Sequence, residues 1–301
     1  MAEQITLEVT AELDGERADK AIAALLGLSR SRASALAADG LTIDGVAADP
    51  SQKVEAGQII SCSRPGETLL LHPEPVRFGV VYEDDYVVVV DKPAGVVVHP
   101  GSGQRTGTLA AGLLDRYPDL AGVGAEDRWG LVHRLDKDTS GLILVARDQN
   151  AFENLVDQLR RRDVGRGYLA LVEGRLASPT GTIEAAIGRD PARPTRRAVS
   201  HSGKFARTHY EVVETYDISE ATLVSVTLET GRTHQIRVHM AAIGHPVVGD
   251  LTYGATRKDL AGPRMFLHAA HLEFTHPMTA ERIEMQSPLP SDLTPVLHRL
   301  S

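Results

Sequence analysis

Residues 130–147, GLVHRLDKDTSGLILVAR, hold a polar insert, HRLDKDTSG, between two apolar runs that read as strands, 131–135 and 142–146. Reactive side chains gather in such inserts, where a rigid sheet presents them to a ligand. Asp136 ends the first run, with Arg134 two residues back on the same face and Lys137 beside it. The pattern therefore sets a carboxylate among cations at the mouth of a sheet, and that carboxylate should be charged. A plainer reading competes: Asp136, Asp138, Thr139 and Gly141 also suit an Asx-rich hairpin turn with no chemistry in it.

A second constellation, GRTHQIRVHM at residues 231–240, reads as a helix start. Thr233 is a good N-cap residue, and His234 and Arg237 lie three apart on one helical face. Helix N-termini and arginine forks favour phosphate or carboxylate, so either could be the target; an ordinary amphipathic helix with its charges in water fits the same pattern. The histidines do not make a metal site. His234 and His239 are five apart, which sends their rings to different helical faces, His268 and His271 are three apart, and no HExxH or cysteine pair accompanies them. No GxxxxGK[ST] or GxGxxG run supports nucleotide hydrolysis or dinucleotide binding, and Ser140 lacks a GxSxG elbow.

The elements that must position these residues fall into two groups. Ala18, Ile22, Leu25 and Leu26 repeat at helical spacing up to Gly27, and Ser29 can cap a second helix that ends near Gly40. A hairpin follows, with residues 41–43 and Val46 flanking Asp44-Gly45, and residues 58–61 add a strand. The proline-bearing stretch 65–75 reads as a linker between a small module at 1–64 and a larger domain at 76–301. In the larger domain residues 86–91, 131–135, 142–146, 168–173 and 223–229 are strand-like. One helix carries Phe152, Leu155, Val156 and Leu159 behind an Asn150 cap, and another carries Ile236, Met240 and Ile243 between Thr233 and Gly244. Strands outnumber helices without βαβ alternation, so the expected class is α+β with a mixed, mostly antiparallel sheet, preceded by a small N-terminal α/β module.

Composition narrows the partners. The 301 residues have a formal charge of -8, but it is unevenly spread: residues 1–62 hold 5 Lys+Arg against 10 Asp+Glu, whereas residues 158–210 hold 11 against 4. A positive field mid-chain, with Arg160, Arg161, Arg162 and Arg166 at its start, suits a polyanion, although a solvated basic face would read alike. With one cysteine, Cys62, no internal disulfide is possible, and no run approaches the length of a membrane span. The start, MAEQITLEV, has no basic or apolar leader pattern, so the expected location is the cytoplasm.

HRLDKDTSG, RGYLALVEG, TGRTHQIRVHM, GHPVVGD and FLHAAHLEFTHP follow one another in the order found in RluA/RluD-type RNA pseudouridine synthases, which the chain resembles from about residue 76 to 293, beginning with DKPAGVVVHP. Residues 15–62 resemble the small RNA-binding module that precedes the catalytic domain in the RluD-like branch. The resemblance implies an isomerase that converts uridine to pseudouridine in RNA, with large-subunit (23S-type) ribosomal RNA or a pre-ribosomal particle as the expected substrate. The alternatives are a synthase acting on tRNA and a non-catalytic RNA-binding protein. Position by position, it implies Asp136 as the catalytic carboxylate, Tyr168 as the tyrosine of the K/R-x-Y segment, and Arg237 as the arginine that pairs with the aspartate. Arg134 becomes the residue that enters the RNA stack and Leu267 a lining of the uracil pocket, with His133, Thr233 and His234 alongside as substrate contacts. Arg30, Arg32, Arg160, Arg161, Arg162 and Arg166 are the expected RNA-backbone contacts; no cofactor, metal or membrane is expected, and the chain is expected to act as a monomer. Where the family often has lysine, this chain has Arg166, and the second helix of the small module continues from Arg30 and Arg32 into the neutral run ASALAA.

Overall fold

The computed structural model describes residues 3–27, 30–37, 40–64, 71–101, 104–124, 128–193, 196–255, 257–260 and 262–300. Ser29, residues 65–70 of the expected linker, and the side chains of Arg30 and Arg32 lie outside the described residues. The chain divides into two compact units, Met1–Leu70 and Leu71–Ser301.

In the first unit, α1 (Ala18–Leu26) turns its apolar face inward and stops at Gly27, whose φ of 63° lets its N–H return to the Ala23 and Ala24 carbonyls. α2 (Arg30–Ala37) follows. Four strands, β1 (Glu3–Glu8), β2 (Thr42–Ile43), β3 (Val46–Ala47) and β4 (Ile59–Arg64), pair antiparallel in the order β1-β4-β2-β3. Ile22, Ala33, Leu36, Ile43, Val54, Ile60 and Cys62 form the core between helices and sheet. β1 is a strand that the sequence reading did not assign; Ile5 and Leu7 supply only two apolar positions, and its partner β4 supplies the rest.

The second unit is α+β. Nine strands form its sheet: β5 (Gly79–Glu83), β6 (Val87–Lys92), β7 (Ser140–Ala146), β8 (Gly165–Glu173), β9 (Thr180–Glu184), β12 (Arg207–Tyr216), β13 (Ala221–Leu228), β14 (Leu267–Thr275) and β15 (Arg282–Gln286). The order is β5-β6-β7-β14-β8-β13-β12-β9 with β15 added to β14, and every pairing is antiparallel except β7 with β14. The short hairpin β10 (Ile187–Arg189) and β11 (Arg197–Val199) stands apart from it.

Four consecutive valines explain why β6 is central: Val88 and Val90 join the core beneath α3 (Leu109–Arg116), while Val87 and Val89 face the core beneath α4 (Gln149–Arg161). Burying both faces of such a strand is worth about 1.5 to 3 kcal/mol per valine. The parallel contact of β7 with β14 depends on Gly141, where φ is 113° and an added Cβ would run into the Ala269 carbonyl. The remaining helices are α5 (Gln235–Ala242) and α6 (Thr294–His298). Among the described residues, no helix is long and apolar enough to cross a membrane.

Three local expectations are corrected. Residues 131–135 are not a strand: Leu131 makes one isolated bridge to Val145, and beyond it the Leu144 N–H donates to the His133 ring at 2.9 Å instead of to a backbone carbonyl. The segment is a strap over the edge of β7, its entry set by Gly130 at φ 70°. α4 is capped by Asp148 in place of Asn150, its Oδ1 accepting from the backbone N–H of Asn150 and Ala151 at 2.7 and 3.1 Å. At α5 the N-cap position belongs to His234 in place of Thr233.

Candidate active site

The strap 131–136 ends at Asp136, just before β7, so the carboxylate comes from a loop covering a sheet edge. Lys92, at the end of β6, holds that loop from below. Its buried ammonium donates to the carbonyls of Pro93, Val96 and Lys137 at 2.8, 2.9 and 3.0 Å, and the Gly95 N–H reaches the same Lys137 carbonyl at 2.8 Å. The backbone just after Asp136 is thereby fixed.

Burial pulls the Lys92 ammonium down to about 7, against the attraction of Asp136 and Asp138. The same lysine in the unfolded chain keeps its proton up to about 10.4. Between these values the unfolded state binds more protons, so stability rises with pH. Lys92→Met removes this contribution: the Tm of the native chain should gain on that of the variant as pH goes from about 7 to about 10. A constant gap in calorimetric melts across that window would refute the assignment.

α5 supplies the partner of Asp136. Gln235 anchors its first turn with four bonds: its Oε1 accepts from Thr230 Oγ1 at 2.8 Å and Arg232 N–H at 3.0 Å, and its Nε2 donates to the Arg207 carbonyl and Thr208 Oγ1, each at 3.0 Å. Two residues on, Arg237 donates from Nη1 to Asp136 Oδ2 at 3.0 Å. The two-pronged contact of this guanidinium is with a second carboxylate: Arg237 Nε and Nη2 reach the two oxygens of Asp250 at 2.7 and 3.0 Å. Burial opposes the guanidinium's charge, but Asp250 and Asp136 outweigh it and hold the group firmly protonated.

The second oxygen of Asp136 faces His234, whose Nε2 lies 3.9 Å from Oδ1. The Tyr253 hydroxyl accepts from the Arg197 N–H at 2.9 Å and lies 2.7 Å from His234 Nδ1, a contact that holds the ring with its Nε2 toward Asp136. Burial lowers the His234 pKa, in keeping with a neutral ring. The residue sits at φ 59°, a strained conformation outside glycine, held at the point where it meets the carboxylate.

Asp136, Arg237 and His234 open on a cavity of about 610 Å³. Tyr168, Leu267, Leu135 and Ile236 form its apolar wall, and Thr233, His133 and Arg134 also line it. Tyr168 is buried, which raises its phenol pKa; the Asp136 charge adds to that rise and Arg166 opposes it. Arg134 is exposed at the mouth and donates to His99 Nε2 at 3.1 Å. Of the expected RNA-backbone cations, Arg160, Arg162 and Arg166 line the cavity, whereas Arg161 is exposed outside its lining. Arg30 and Arg32 belong to α2, in the other unit.

Sequence reasoning did not assign Lys92, Asp250 or Tyr253 to the site. Lys92 and Asp250 lie in the quoted segments DKPAG and GHPVVGD, but their roles arise from tertiary contacts; only a lysine two residues after a run of four valines was a visible signal. Among the described residues, no cluster of three or more His, Cys, Asp or Glu could hold a metal ion.

Residues 86–242 match the model of the RNA pseudouridylate synthase family. The chain is 44% identical to the ribosomal large subunit pseudouridine synthase D of Nitrosomonas europaea, covering 98% of this chain and 88% of that one. It is 46% identical to an uncharacterised RNA pseudouridine synthase of Chloroflexus aurantiacus, over 99% and 94% of the two chains. Among solved structures, human RNA pseudouridylate synthase domain containing 1 superposes with a TM-score of 0.57 at 30% identity, over 78% of this chain and 96% of that one.

Proposed function

Because the chain belongs to the RNA pseudouridylate synthase family, and is thus an isomerase of uridine in RNA, we propose that it modifies large-subunit ribosomal RNA in the cytoplasm, with Asp136 as its catalytic carboxylate. The observation that carries this reading is the 3.0 Å contact of Asp136 with Arg237 at the wall of a cavity that also holds Tyr168 and Leu267. The substrate follows the relative named for the large ribosomal subunit. One chain supplies every residue the scheme uses, so a monomer suffices.

Pseudouridylation breaks the N1–C1′ bond, turns the uracil and joins C5 to C1′; the C5 hydrogen leaves and N1 gains one, so no oxidant, water or cofactor is consumed. The uridine must first leave its stack, at a cost of a few kcal/mol. Arg134, exposed at the mouth, takes the vacated space, and stacking on Tyr168 returns about 1 to 3 kcal/mol. Leu267 closes the uracil pocket, with Thr233 and His234 on its polar side. Asp136 then acts at the sugar, by attack on C1′ or by removing the C2′ hydrogen toward a glycal. Both routes need the charged carboxylate, which Arg237 holds in place. Arg160, Arg161 and Arg162 bind RNA backbone, and the N-terminal unit, with Arg30 and Arg32, is a second RNA contact joined to the catalytic domain by the linker.

Tyr168→Phe keeps the ring and removes only the hydroxyl. If that oxygen handles the C5 proton, kcat should fall by about 10²-fold or more while KM stays within about threefold. Near-normal turnover would reduce Tyr168 to a stacking surface. The substrate is tested by mapping pseudouridines in RNA from cells with and without the protein. Loss of one or more in large-subunit ribosomal RNA is expected, and losses confined to transfer RNA would overturn that assignment.

A further inference from the structure

Three buried side-chain atoms of residues lining the cavity have no hydrogen-bond partner among the described residues: Oγ1 of Thr139, Nδ1 of His133 and Nε of Arg166. For His133 the hydrogen can be placed, since Nε2 accepts from the Leu144 N–H at 2.9 Å and Nδ1 therefore carries the proton. The ring stays neutral, its pKa pushed down to about 3 by burial and by the Arg166 charge. Arg166 is only 8% exposed. It shares a face of β8 with Tyr168, two residues away, and the site has made room for it: a Cβ on Gly231 would lie 2.7 Å from its Nη1.

The neighbouring cavity cations are already engaged. Arg162 pairs with Glu229 at 2.7 Å, Arg160 with Asp157 at 2.9 Å, and Arg232 donates to the Phe205 carbonyl at 2.9 Å. No ion pair or hydrogen bond of the Arg166 side chain is found among the described residues. A buried guanidinium without a carboxylate is a liability in the free protein, and two orphaned N–H donors lining one cavity call for an acceptor with a negative charge. The cavity thus has an apolar wall around Tyr168 and Leu267 and a cationic one around Arg166, matching a base and its phosphate.

We propose that Arg166 and His133 form a preformed receptor for one RNA backbone phosphate beside the extruded uridine. The proposal rests on the isomerase reading for the identity of the RNA, but its test does not depend on turnover. Binding of an unmodified large-subunit ribosomal RNA transcript is measured over a salt series for the native chain, Arg166→Met and Arg166→Lys, together with their melting temperatures. Arg166→Met should bind about 10-fold more weakly or worse, with a log–log salt slope shallower by about 0.7. Its Tm should equal or exceed that of the native chain, because methionine fills similar space without a charge to bury. Arg166→Lys should keep the slope. An unchanged slope in Arg166→Met, whatever its affinity, would assign the arginine to a base or to the fold; a lowered Tm would show that its charge is compensated in the free protein. Loss of the isomerase reading would appear in product analysis and leave the slope untouched.

Discussion

Asp136→Asn is expected to bind RNA within about threefold of the native chain and to lose turnover by about 10⁴-fold or more. The variant should also fold. Removing the Asp136 charge does not strand its partner, because Arg237 keeps both oxygens of Asp250 at 2.7 and 3.0 Å. Asparagine fills the same space and can still accept one bond from Nη1, but it can neither attack C1′ nor take a proton. Single-turnover assays at saturating RNA separate the two effects, and retention of more than about one hundredth of the native rate would remove Asp136 from the chemistry.

Arg237→Ala should have the broader consequences. It takes the partner from Asp250, whose side chain is only 1% exposed, as well as from Asp136. A carboxylate left buried and unpaired costs about 3 to 5 kcal/mol, or roughly 10 °C in Tm for a unit of this size. Turnover should fall by about 10³-fold or more, since the Asp136 carboxylate loses the contact that aims it. The double variant Arg237→Ala/Asp250→Ala separates the roles. Part of the lost stability should return with the second buried charge gone, while activity stays absent. Recovery of turnover together with stability would mean that Arg237 serves only the fold.

The parts of this fold that were legible in the sequence are those whose pattern is local. Four valines in a row, an apolar stripe of Leu155 and Leu159 on one helix, and Gly27 after Leu26 each announce their element within a few residues. The strap at 131–135 misled because its leucines alternate as in a strand. What decides its conformation is the His133 ring, which takes the backbone N–H that a pairing strand would have claimed. Asp136 stood out because it lies in a polar insert between apolar runs, and Arg237 because it falls three residues from His234 on one face of a helix start. Asp250, Tyr253 and Lys92 did not, because their roles arise from contacts that no short spacing encodes: Asp250 meets Arg237 across 13 residues, Tyr253 meets Arg197 across 56, and Lys92 meets the Lys137 carbonyl across 45. The orientation of the His234 ring is more remote still, since it depends on two successive bonds through Tyr253.

The account turns on a charged Asp136 that drives exchange of the bond at uracil C5, and tritium at that carbon reports the event directly. RNA labelled at uracil C5 and incubated with the purified protein should release tritium to water with no free uracil or abasic sugar formed, and the Asp136→Asn protein should release none. Retention of the label by the native protein on RNA that it binds, or equal release by both proteins, would contradict the account.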